Sequence, residues 1–159
     1  MNRFLQTDEQ SWVLFVQRVV LALVMLPHGA QKLLGWFGGY GFSGTMGFFT
    51  DAMHIPAPVA LLVILGESIG AVMLALGLAT RLSAFGISAI MAGAMLTSHV
   101  QHGFFMNWFG NQQGEGVEYH LLVLALGLPL LIWGGGRYAI DSLVQRRLGA
   151  SAVLTPARA

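Results

Sequence analysis

Ionisable side chains are scarce in this chain, and a few stand inside or at the ends of apolar runs. His28 and Lys32 lie one helical turn apart near the end of one run, Glu67 lies within a second, and Glu118 and His120 open another. Ionisable groups inside a membrane are functional by default. A mid-depth carboxylate can exchange a proton or supply the counter-charge of a site between helices. Glu67 and His28 are therefore the candidate catalytic pair, with Lys32, His120 and Glu118 as candidate substrate contacts. Trp36 and Phe104 belong to aromatic-glycine segments whose ordinary place is the membrane interface and which can alternatively wall an apolar pocket. Such a pocket suits a quinone headgroup, an apolar ring whose two carbonyls accept hydrogen bonds from His or Lys at the rim. A structural pairing of Glu67 with Arg18, Lys32 or His28 accounts for the same residues. On depth His28 is the nearest of these. It lies about six residues below its helix end against about ten for Glu67, or roughly 6 Å apart along the membrane normal.

The histidines raise a second chemistry. His99, His102 and His120 carry imidazoles of the kind that ligate haem iron, zinc or copper. No HxxxH or ExxH pair falls within one helix, and His99 and His102 straddle a helix end. No metal site is therefore expected, and hydrogen-bonded interfacial histidines are the preferred reading.

The elements that must position these groups follow from composition. Of 159 residues, 55% are hydrophobic and only 9% charged, against about 25% charged in soluble domains. Mean hydropathy is +0.68. A soluble fold of this size cannot hide so much apolar surface, and the length suits about four spanning helices of roughly 20 residues each. Net charge is +1, which gives no basic face for nucleic acid. The chain has no Cys, so no disulfide, thiolate metal site or dithiol chemistry is carried by its own residues. The expected fold is all-α: a polytopic membrane four-helix bundle with interfacial aromatic-Gly loops and a C-terminal amphipathic segment. Helices are expected over about 11–34, 57–79, 82–100 and 117–133, within a single domain over 1–150, followed by a flexible tail over 151–159. The first run lacks a small-residue cleavage site and reads as a retained helix. Residues 35–56, rich in Gly and aromatics, read as an interfacial cap with a short helix over 45–53. Gly66 and Gly70 flank Glu67 in a small-xxx-small pattern that lets a neighbouring helix approach.

Arginines gather on one side of the expected topology: Arg3, Arg18, Arg81, Arg137, Arg146, Arg147 and Arg158, against Lys32 on the other. The positive-inside rule then places both termini in the cytoplasm and all five histidines toward the outer face. The segment from Arg137 to Arg147 reads as an anchor on anionic lipid.

These residues resemble the DoxX family of small bacterial four-helix membrane proteins. The likeness rests on His28-Gly29-x-Gln31-Lys32-Leu33-x-Gly35, Gly38-Gly39-x-Gly41-Phe42 and Gly66-Glu67. It continues through Leu76-Gly77-Leu78-x-Thr80-Arg81, His99 with Gly103-Phe104-Phe105, Glu118-Tyr119, and Gly134-x-Gly136-Arg137-Tyr138-x-x-Asp141. It covers about residues 12–143. Position 139 holds alanine where the family commonly has serine. The resemblance implies a bacterial inner-membrane protein associated with redox systems, including thiosulfate-to-quinone oxidation, quinone or catechol stress and thiol homeostasis. A thiol mechanism does not transfer to a chain without cysteine. The leading expectation is a component of a membrane redox system that binds a quinone or similar small molecule in an outward-facing pocket; any catalysis would be quinone-linked oxidoreduction. The alternatives are a small-solute or ion transporter or channel, and a structural membrane anchor for a partner enzyme. Expected partners are membrane lipid, a quinone, a redox enzyme and a second copy of the chain.

Overall fold

The computed structural model describes the backbone of residues 7–153 and the side chains of residues 7–147. Arg3 and Arg158 fall outside the described residues, as does the expected tail from residue 154 onward. Six α-helices are present, and no strand occurs among the described residues. They are α1 (Trp12–Leu34), α2 (Gly41–Gly47), α3 (Ala57–Leu76), α4 (Thr80–Ala94), α5 (Glu118–Trp133) and α6 (Ile140–Val153). Two elements run on into wider turns. α2 continues as a π-helical turn over Phe48–Ala52, and α4 continues through one over Met95–His99 and a 3-10 turn over Val100–His102. The cap over residues 35–56 thus holds a short helix, begun earlier than the sequence pattern places it.

Among the described residues, three helical segments are long and apolar enough to cross a membrane: Trp12–Leu34, Ala57–Leu76 and Thr80–His102. α5 is apolar but has 16 residues, about 24 Å at 1.5 Å per residue. The four long helices close a ring, α1 beside α3, α3 beside α4, α4 beside α5 and α5 beside α1. Leu21, Met25, Leu74, Ile87 and Leu130 fill its centre and are fully buried. The outer faces stay apolar: Val13, Val16, Val20 and Leu23 form an exposed stripe along α1. In water such a stripe would be an association surface; in a bilayer it is the lipid-facing side.

One end of the ring is tied by Arg18, which is 1% exposed. Its Nε donates to the Gly135 carbonyl at 2.9 Å, Nη1 to those of Leu74 (3.2 Å) and Ala75 (2.5 Å), and Nη2 to that of Arg137 (3.2 Å). Leu74 and Ala75 stand in the last turn of α3, where helix carbonyls lack intrahelical donors and the dipole is negative. Asp141 does the converse at the start of α4. Its carboxylate accepts from the Ala79 amide at 2.6 Å and the Thr80 amide at 2.8 Å, serving as an N-cap delivered from α6. Arg137 lies over the Trp12 ring, 4.7 Å from its centroid. The segment after α5 is therefore a clasp on three helix ends. Further along α6, Arg146 pairs with Glu9.

Candidate functional site

At the other end the ring opens into a cavity of about 800 Å³. α1 contributes His28 and Lys32, α3 contributes Val59, Leu62, Val63 and Glu67, and α5 contributes Tyr119 and His120. α4 and its π-helical extension add Ile90, Gly93, Thr97, Ser98 and His99. Phe48, Phe49, Met53 and Ile55 reach in from the cap. Most of this wall is apolar, and its ionisable groups come from α1 (His28, Lys32), α3 (Glu67), the α4 extension (His99), the loop before α5 (Glu115) and α5 (His120).

Gly29 sets the register of that convergence. A Cβ there would stand 2.2 Å from the Glu67 carbonyl oxygen and 2.6 Å from Ser68 Cα, so only a glycine lets α1 lie against the α3 backbone at this level. Lys32, three residues on, then sits about 4.5 Å above Glu67 along the helix axis. Its Nζ donates to Glu67 Oε2 at 2.5 Å. The Glu67 side chain is 5% exposed and that of Lys32 is 24% exposed. The ammonium gives the buried carboxylate a partner of opposite charge, without which its burial would be costly. Depth along the helices ranks His28 nearest to Glu67, yet the contact is made by Lys32, whose long flexible stem reaches the carboxylate from the next turn. His28 lines the same cavity and packs on Tyr119, ring centroids 5.7 Å apart. The Tyr119 hydroxyl donates to Met25 Sδ at 3.6 Å.

The histidine pair across α4 and α5 is close. The His99 and His120 rings lie 4.2 Å apart at an interplanar angle of 46°. His99 Nδ1 donates to the Glu115 carbonyl at 2.9 Å, which leaves Nε2 as the acceptor in the neutral ring. His102 lies apart, its ring packed against Gly114, and does not line the cavity. Among the described residues no group of three or more His, Asp or Glu is arranged to hold a metal ion.

The structure thus brings His28, Lys32, Glu67 and His120 around one space and places three other expected site residues elsewhere. Trp36 is 60% exposed in a 3-10 turn over Trp36–Gly38, and Phe104 is 52% exposed; neither lines the cavity. Glu118 is also outside the lining. Its carboxylate accepts from the Met106 amide at 3.2 Å and so braces the loop that leads into α5. Sequence reasoning passed over Tyr119 and Ser98 as site residues. The first turn of α5 sets Glu118, Tyr119 and His120 side by side without marking which of them turns inward, and Tyr119 is identified by the His28 ring beside it.

The cluster can do three things chemically. The Lys32 ammonium and the Tyr119 hydroxyl donate hydrogen bonds, Glu67 accepts them or takes a proton, and His28 and His120 can do either. The surrounding wall excludes water from an apolar ring. A family model described as DoxX matches residues 13–100. A Bacillus subtilis (strain 168) protein named "Putative oxidoreductase CatD" is 27% identical over 127 residues, covering 80% of this chain and 83% of that protein. No solved structure matches the chain significantly.

Proposed function

Since the chain belongs to the DoxX family of membrane proteins, we propose that it is a component of a membrane redox system and binds a quinone, or a small molecule of like chemistry, in the cavity. The observation that carries this reading is the Lys32–Glu67 pair at the polar end of an otherwise apolar space, with His28, Tyr119 and His120 around it. A quinone carbonyl accepts hydrogen bonds from Lys32 or Tyr119 there, and Glu67 with His28 supplies or takes up protons. Reduction of a quinone consumes two electrons and two protons. In this reading the chain handles the protons and a partner redox enzyme delivers the electrons. The oxidoreductase name of the Bacillus subtilis relative supports the class of system. A transporter would need a path from Glu67 to Arg18, and the packed centre of Leu21, Met25, Leu74, Ile87 and Leu130 weighs against one.

The same reading places the protein in the bacterial inner membrane with both termini cytoplasmic. The arginine clasp then lies on the cytoplasmic side and the cavity toward the outer face. Lipid covers the apolar outer faces, and a second copy of the chain is a further partner in this proposal.

Binding of a short-chain benzoquinone to the purified protein in detergent tests it. Lys32→Met and Glu67→Gln are each expected to weaken binding by about tenfold or more, the loss of some 1.4 kcal/mol. Equal affinity in Lys32→Met, Glu67→Gln and His28→Ala would remove these residues from the site.

A further inference from the structure

The cavity has a side as well as an end. α3 and α4 touch where Gly66 meets Ile90; a Cβ on Gly66 would stand 2.5 Å from Ile90 Cδ1. Toward the cap from that contact, residues of both helices line the cavity. Val59 and Leu62 on α3 line the cavity and yet are 47% and 65% exposed. Ala89 and Gly93 on α4 also line it and are exposed. Their exposure sums the cavity surface and the outer surface, and its size on two neighbouring helices points to an open side of the cavity between them. This opening is a slot with apolar sides, and Gly66 lies about 14 Å along α3 from its start, so the slot spans roughly half the bilayer. The polar cluster stands at its inner end and apolar wall extends to the lipid.

We propose that the slot between α3 and α4 is a lateral port, and that the ligand of the cavity is an amphiphile loaded from the bilayer. Its carbonyl-bearing head lies at Lys32 and Glu67, and its single long apolar tail leaves past Leu62 and Gly93 into lipid. The inference rests on the reading given under Proposed function and narrows its ligand to the tailed, membrane-resident quinones. The occupant follows from the polarity gradient. A cavity opening only to water would force the tail out of lipid, and each methylene so exposed would lower affinity about fourfold. Through the slot the tail never leaves an apolar medium.

The chain has no cysteine, so a single Ala89→Cys variant of the full chain can carry one nitroxide in the slot. In liposomes, collisions of this label with oxygen, which concentrates in lipid, are expected to exceed those with a water-soluble nickel chelate. On a membrane-concentration scale, a benzoquinone with a long isoprenoid tail is expected to bind as well as its tail-less analogue. Gly93→Leu adds bulk where a Cβ meets nothing within 4 Å, so the helix accommodates it while the slot narrows. It is expected to weaken the tailed quinone by about tenfold without a matching loss for the tail-less one, and to lower oxygen collisions at position 89. Dominant nickel collisions would overturn the port. So would a tailed quinone far weaker than the tail-less one, or equal losses of both in Gly93→Leu. If neither quinone binds, the redox reading fails separately, and the ratio of oxygen to nickel collisions, with its response to Gly93→Leu, still decides whether the slot opens to lipid.

Discussion

Glu67 is the residue on which the polar end of the cavity depends. Its charge is held in an apolar setting by Lys32 at 2.5 Å, and the two side chains differ in exposure, 5% against 24%. Removing either partner leaves the other charge poorly solvated, whereas removing both leaves nothing to solvate. A double-mutant cycle with Glu67→Gln and Lys32→Met, read from thermal unfolding in detergent, is expected to give a coupling of about 1–3 kcal/mol. A coupling near zero would mean that the partly exposed ammonium reaches water instead of the carboxylate. Arg18 is an opposite case. It is fully buried, bonds to four carbonyls and takes no part in the cavity. Lysine is a point charge and cannot span four acceptors spread around a planar fork. Arg18→Lys is therefore expected to destabilise the protein by at least about 2 kcal/mol while leaving benzoquinone affinity unchanged. Loss of affinity at equal stability would contradict the separation of clasp and cavity.

At the scale of elements, the cavity exists because helix seams differ. Three seams of the ring are closed by a glycine: Gly29 of α1 against the backbone of α3, Gly66 of α3 against Ile90 of α4, and Gly127 of α5 against Ser88 of α4, whose Oγ a Cβ would meet at 2.5 Å. Beyond these three contacts, toward the cap, the cavity lies between the helices, and Phe48 and Phe49 reach into it. Gly29→Ala would push α1 from α3 at the level of Glu67. It is expected to cost about 1–3 kcal/mol in stability and to weaken benzoquinone binding, because Lys32 is carried on the displaced turn. A variant that loses stability but binds normally would show that the ion pair tolerates the shift. The two π-helical turns, Phe48–Ala52 and Met95–His99, both border the cavity. Such turns recur at functional sites because they re-aim side chains by a fraction of a turn.

For the whole molecule, the proposed orientation sets the arginine clasp in the cytoplasm and the cavity toward the outer face. The lack of cysteine makes this directly measurable. A single Gln113→Cys in the exposed loop before α5 is expected to react in intact cells with a membrane-impermeant maleimide, and Arg147→Cys is expected to react only after lysis. The reverse pattern would invert the topology. Membrane class, the long helices and the polar end of the bundle were legible in the sequence, since they follow from local quantities: few charges, long apolar runs and the places where those runs are interrupted. His28, Lys32, Glu67 and His120 are conspicuous because each is costly where it stands. Pairing was not legible. Depth along an axis ranked His28 beside Glu67, but side-chain reach and the Gly29 contact put Lys32 there. Nor did spacing reveal that Glu118 would brace a loop, that Trp36 and Phe104 would point away from the cavity, or that Arg137 and Asp141 would clasp helix ends. One-dimensional hydropathy carries no azimuth when a helix is apolar all round, as α5 is beyond its first turn, and so cannot say which of its faces turns inward. By itself the sequence determined which groups must be accommodated and at what depth. Only the tertiary structure decided which of them meet, because that depends on how closely neighbouring backbones approach.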